Sequence, residues 1–90
     1  MRLRTMPDPE LVQLYLHGEE PALEALIHRY RDKVFTSIYF FVKDRYIAED
    51  LFQDTFIKVV DTLRNGRYNE EGKFLPWVMR ISHNLCIDHY

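Results

Sequence analysis

Two stripes of side chains in this 90-residue chain could do chemistry, and both suit binding better than catalysis. Asp50, Gln53, Asp54 and Ile57 fall at i, i+3, i+4 and i+7, a spacing that gathers them on one face of a helix. Two carboxylates and an amide accept hydrogen bonds from arginines of a partner, and an isoleucine beside them supplies an apolar anchor. The same residues also fit a solvated helix side with one stray isoleucine, and on residue types alone that plainer reading is the stronger. Arg80, His83, Asn84 and Ile87 repeat the spacing further along. Their guanidinium, imidazole and amide groups suit phosphates and base edges. Together with Arg67, Tyr68 and Asn69 they could hold an unstacked single strand by charge and stacking. Trp77 lies nearby, and its size favours a core position over a stacking platform.

Catalytic constellations are missing from the sequence. It contains no glycine-rich phosphate loop, zinc-type Cys/His spacing or nucleophile elbow. A di-metal bundle needs Glu-x-x-His repeats, and none of the 4 histidines has an acid three positions before it. Glu24 with His28, and His28 with Asp32, read as solvated i, i+4 pairs. Cys86 sits among apolar neighbours and is expected to be inert. No enzyme, metal or cofactor is expected.

Helices must carry these stripes. Asp8 and Pro9 read as an N-cap and first turn, and Gly18 as the stop of a short helix with Leu11, Leu14 and Tyr15 on one face. Pro21 opens a second helix, with Leu23, Leu26, Ile27, Tyr30, Val34, Ile38 and Phe41 at helical spacing to about Val42. Asp44 caps a third that ends before Gly66. Its rows Ile47, Leu51, Thr55, Val59, Leu63 and Ala48, Phe52, Phe56, Val60 form a broad apolar face. After a polar loop, a fourth starts near Phe74, since Pro76 is tolerated only in a first turn. It is apolar over most of its girth, with Phe74, Leu75, Trp77, Val78, Met79, Ile81, Leu85, Cys86 and Ile87. No stretch alternates with period two. The expected fold is all-α, a compact bundle of about four helices forming one domain over residues 1–90.

Hydrophobic residues at 47% and aromatics at 14% are enough for one modest core. A lone cysteine excludes an internal disulfide and fits a reducing cytoplasm. The first residues lack the apolar run of a signal peptide, and the stretch Val34 to Val42 is too short to span a bilayer, so no membrane insertion is expected. Net charge is −2. Residues 44–61 carry two basic against five acidic groups, net −3, while residues 62–90 carry four against three, net +1. An acidic element followed by a mildly basic one suggests two partners of opposite character, although ordinary solvated faces would look the same.

Three ordered segments resemble a known family. The run AEDLFQDTFIKVVDTL, Ala48 to Leu63, is similar to the region 2.2 signature of bacterial sigma factors. The run GKFLPWVMRISHNLCIDHY, Gly72 to Tyr90, looks like regions 2.3 and 2.4 of the extracytoplasmic-function (ECF) group, with Trp77, Arg80, Ile81, Asn84 and Asp88 at the expected intervals. RYRDKVFTSIYFFV, Arg29 to Val42, fits region 2.1.

The resemblance implies a sigma region 2-like transcription initiation factor domain, and it implies partners. Asp50, Gln53 and Asp54, with Ile57 on the same face, would bind core RNA polymerase at the clamp helices of its largest subunit. The loop from Asn65 to Phe74 would capture a base flipped from the promoter minus-ten element, with the fourth helix lining the non-template single strand. Asn65, Arg67, Tyr68, Asn69, Lys73, Phe74, Arg80, His83 and Asn84 are then the expected DNA-binding residues. Taking a base out of the stack costs a few kcal/mol, so a pocket that rewards one base supplies melting and selectivity together. An anti-sigma factor is a further expected partner. The chain stops at Tyr90, where the family continues with basic residues and a helix-turn-helix region 4, so DNA affinity in isolation is expected to be weak. The competing reading is a helical protein-interaction module with no DNA role.

Overall fold

The computed structural model describes residues 3–69 and 71–89. A short 3-10 turn, Leu3–Thr5, precedes four α-helices: α1 Asp8–Leu16, α2 Glu20–Val42, α3 Arg45–Arg64 and α4 Phe74–His89. Among the described residues there is no strand, so the expected all-α class holds. The 23-residue α2 is the spine, packed against α1, α3 and α4. At about 35 Å it accounts for most of the 38 Å long axis of the molecule. Among the described residues, no helix is long and apolar enough to cross a membrane.

The core follows the apolar spacing with few exceptions. Leu11, Val12 and Tyr15 of α1, Leu23, Leu26, Val34, Ile38 and Val42 of α2, and Ala48, Leu51, Phe56, Val59 and Leu63 of α3 are buried with Phe74, Val78 and Cys86 of α4. Thr55 and Ser82 join them because each hydroxyl donates to a carbonyl of its own helix, Leu51 at 2.7 Å and Met79 at 2.9 Å. A hydroxyl satisfied this way can enter the core without an unpaired polar atom. Phe41, expected on the buried face of α2, is instead exposed. Ile38 and Val42 already hold that end of the helix in the core, and Phe41 lies on its flank.

Helix ends depart from the sequence reading in one place. Asp8 does not cap α1; Pro7 occupies the N-cap position and Asp8 lies inside the first turn. Its carboxylate accepts hydrogen bonds from Arg29 Nη1 at 2.6 Å and from the Tyr30 hydroxyl on α2. Arg29 Nη2 also donates to the carbonyls of Leu3 and Arg4, which ties the amino-terminal turn to the spine. The charge-assisted partners on α2 outcompete the local cap. Gly18 closes α1 as expected, with φ +101° and the paired bonds Gly18 N–H to Tyr15 O and Glu19 N–H to Leu14 O. Those two bonds are the Schellman pattern, which needs a left-handed residue at this place. Asp44 caps α3 as expected, accepting from Ile47 N–H at 3.0 Å.

Candidate polymerase and nucleic-acid interfaces

The acidic stripe lies on α3 and faces away from the bundle. Asp50, Gln53, Asp54 and Ile57 are all exposed, and Ile57 is 65% accessible although its neighbours Phe56 and Val59 are buried. Beside the stripe runs a shallow apolar groove lined by Ile27, Phe52, Gln53, Phe56, Ile57, Val60, Asp61 and Arg64. Gln53 and Ile57 of the stripe therefore border a concave apolar strip, while Asp50 and Asp54 stand outside its lining. The sequence reading found the stripe and missed the groove, because Ile27 comes to it from α2.

The second site forms where α3 hands over to α4. α3 ends in another Schellman pattern: Gly66 at φ +68° donates to Leu63 O, and Arg67 N–H donates to Thr62 O at 3.1 Å. That geometry sets the direction in which the chain leaves the helix. Arg64 braces the same turn from outside, its Nε donating to the Tyr15 hydroxyl at 3.2 Å and its Nη2 lying 3.7 Å from Glu20. From there the loop folds back over α4, and the Tyr68 ring packs against Trp77 at a tilt, with centroids 4.4 Å apart and planes at 43°.

Arg67, Tyr68, Asn69, Glu71, Lys73, Pro76, Trp77 and Arg80 line a cavity of about 270 Å³. This is just below the roughly 300–1,000 Å³ of drug-sized ligand sites, a size for one small planar group. Its chemistry is two aromatic rings for a π-face, three cations for phosphate, and an amide and a carboxylate for donors and acceptors on a base edge. Of the expected DNA-binding residues, Arg67, Tyr68, Asn69, Lys73 and Arg80 meet here. Asn65 is exposed at the C-cap of α3, outside the cavity. His83 and Asn84 are exposed further along α4 in the same stripe as Arg80.

Phe74 is a correction. It is 1% accessible, with Tyr30, Tyr68 and Trp77 rings at 6.2, 6.2 and 5.8 Å, so it supports the cavity from within the core and does not face a ligand. At the first position of α4 its side chain points back toward the helix N-terminus and into the bundle. Trp77 divides the two roles weighed for it: half-buried, it packs on the core and also forms a cavity wall. Sequence reasoning also missed Glu71 and Pro76, which line the cavity only because the loop returns over the first turn of α4. Cys86 is buried, and burial pushes its thiol pKa up, away from the reactive thiolate.

Comparison with known proteins decides the family. The Sigma-70 region 2 model matches residues 26–90, most of the chain. This chain belongs to the Sigma-70 region 2 family. The region 2 domain is 35% identical over 82 residues to the ECF RNA polymerase sigma factor BldN of Streptomyces coelicolor, covering 90% of this chain and 30% of the relative. It is 32% identical over 82 residues to the RNA polymerase sigma-H factor of Pseudomonas aeruginosa, covering 91% of this chain and 42% of that protein. With the ECF RNA polymerase sigma factor SigW of Bacillus subtilis the identity is 31% over 71 residues, covering 79% of this chain and 37% of the relative. The region 2 domain is thus of the ECF group and spans less than half the length of these relatives. No solved structure matches it at a comparable level.

Proposed function

We propose that this region 2 domain acts in transcription initiation, docking on core RNA polymerase through α3 and holding the melted minus-ten element through the loop cavity and α4. The observation that carries the reading is the cavity itself, in which Tyr68 and Trp77 rings meet Arg67, Lys73 and Arg80 in a chain of the Sigma-70 region 2 family. A base flipped into it would stack on the aromatic pair, offer its edge to Asn69 and Glu71, and leave its phosphates to the cations.

Asp50, Gln53, Asp54 and Ile57 are the proposed contacts to the clamp helices of the largest subunit. An amphipathic basic helix fits there, with arginines on the carboxylates and an apolar side chain in the groove beside Ile57. The domain works by binding, without bond-making chemistry of its own, in the cytoplasm. An anti-sigma factor would compete for one of these two faces.

Reconstitution with core polymerase on a pre-melted promoter tests the proposal. The expected result is sequence-selective occupancy of the non-template strand, with base preference that follows the 65–74 loop when it is exchanged for that of another ECF factor. A chain that binds polymerase but leaves the strand free would instead be a protein-interaction module, with the loop as a connector.

A further inference from the structure

α1 lies outside the part of the chain that the Sigma-70 region 2 model matches, which begins at residue 26. The proposed function leaves it without a task. Yet its polar contacts with the other helices lead to the two ends of the loop that forms the cavity. Leu11 and Val12 are fully buried and seat α1 on the core. Asp8 and Tyr15 share that face, two turns and about 10 Å apart along the axis.

Asp8 leads to the end of the loop. One carboxylate oxygen accepts from Arg29 Nη1 at 2.6 Å and the other from the Tyr30 hydroxyl, so consecutive residues of α2 engage both. Arg29 is fixed in turn, because its Nη2 donates to the carbonyls of Leu3 and Arg4. With its hydroxyl held, the Tyr30 ring lies 6.2 Å from Phe74, and Phe74 packs against both Tyr68 and Trp77. Phe74 is sealed in the core, where close packing leaves no free space to absorb a shift of its support.

Tyr15 leads to the start of the loop. Its ring is buried, and its hydroxyl accepts from Arg64 Nε at 3.2 Å in the last turn of α3. Glu20 lies 3.7 Å from Nη2 of the same guanidinium. Just beyond Arg64, the Gly66 and Arg67 N–H groups close the helix on the carbonyls of Leu63 and Thr62.

We propose that α1 is a positioning element for the loop cavity. Tyr15 fixes where the loop leaves α3, and Asp8, through Tyr30 and Phe74, fixes the aromatic wall that Tyr68 and Trp77 form. The effect on base choice rests on the proposed role in promoter opening, whereas the effect on the cavity wall does not. A displaced wall fits the preferred base less well, and substitutions along such a chain of contacts change affinity by about 2- to 30-fold.

Asp8→Asn, which keeps the shape and removes the charge, and Tyr15→Phe, which keeps the buried ring and removes the hydroxyl, test the proposal. Trp77 is the sole tryptophan of the chain, so its emission reports on the cavity wall. In the folded chain both variants should shift that emission to longer wavelength and raise its quenching by acrylamide. Bound to core RNA polymerase, both should lower discrimination between the best and second-best minus-ten base by about 2- to 30-fold. Discrimination is a ratio of affinities, so a uniform loss of folded chain or of polymerase binding cancels from it. Tyr30→Phe should act in the same direction as Asp8→Asn, and the two together should do less than the sum of each, because both remove one link.

Emission and discrimination equal to wild type in both variants, with only a lower melting temperature, would overturn the proposal and make α1 a structural cover. Altered emission with unchanged discrimination would overturn it too, since the wall would then move without consequence for the base. Should Asp8→Asn fail to fold, Tyr15→Phe and Tyr30→Phe decide the same points by the same two readings. A wild-type chain that shows no base preference on core polymerase would overturn the strand-binding reading, and Trp77 emission alone then decides whether α1 holds the cavity.

Discussion

Phe74 and Trp77, three positions apart on one helix, differ in whether the ring is sealed in the core or opens onto the cavity. Phe74 touches Tyr30, Tyr68 and Trp77 and is sealed from water, while Trp77 shares one surface with Tyr68 and offers another to the cavity. Cutting back a sealed aromatic loses its transfer energy and leaves a void, so Phe74→Ala should destabilise by about 3–5 kcal/mol. Trp77→Ala removes less buried surface and should cost about half as much, roughly 2 kcal/mol. Urea unfolding followed by circular dichroism checks the order. A larger cost for Trp77 would make it the core residue and Phe74 its cover. Asp8 makes the same point for polar groups, since its carboxylate is committed to Arg29 and Tyr30 across the α1–α2 contact and not to its own helix end.

At the scale of elements, turns decide where the binding groups point. Only Lys43 and Asp44 separate α2 from α3, and Lys43 sits at φ 59° in the left-handed region. A residue with a Cβ is strained there by about 1–2 kcal/mol. Lys43→Gly relieves that strain but gives back some chain entropy, so thermal melting should show a gain of up to about 1 kcal/mol. Gly66 is the converse. A Cβ there would meet nothing within 4 Å, so Gly66→Ala should cost about 1 kcal/mol from backbone strain alone. That substitution should also reduce base selectivity, because the same turn aims Arg67 and Tyr68 into the cavity. On α3, Asp50 and Asp54 face water while Leu51 and Thr55 face the core. Replacing both aspartates by lysine should leave the melting temperature nearly unchanged and, on the proposed docking, abolish binding to core polymerase, because like charges would oppose the basic groups proposed on the partner. Unchanged affinity in a pull-down with core enzyme would return the stripe to a solvated helix side.

For the whole molecule, charge placement matters more than net charge. A net charge of −2 predicts little attraction to DNA, yet Arg67, Lys73 and Arg80 converge on one cavity against the single acid Glu71 in its lining. Affinity should therefore be local, salt-dependent and modest. Arg80→Ala should weaken binding to all promoter sequences alike and lower the salt slope by about one contact. Asn84→Ala removes a directional amide and should cost more on the preferred promoter than on others. Titrating both variants, bound to core enzyme, against promoters varied singly through the minus-ten element at two salt concentrations reads the difference. An Arg80 effect confined to one sequence would move it from phosphate to base contact.

Patterns that repeat along one helix were legible without the fold. The rows of α3, its Asp44 cap, the stop at Gly18 and the exposed stripe from Asp50 to Ile57 all follow from period 3.6 and local backbone chemistry, which depend only on near neighbours in the chain. The same holds for the stripe from Arg80 to Ile87. Tertiary packing decided what no local rule reaches. Asp8 left its cap for partners on α2, 21 and 22 positions away. Phe74 went into the core because α2 supplied Tyr30 to receive it, and Ile27 entered the groove beside Ile57 because α2 lies along α3. Phe41 stayed outside, where α4 brought His83 to its edge. Glu71 and Trp77 became walls of one cavity only when the loop folded back on α4. A side chain's spacing determines which face of a helix it occupies, and its burial and partners depend on which other helix arrives at that face.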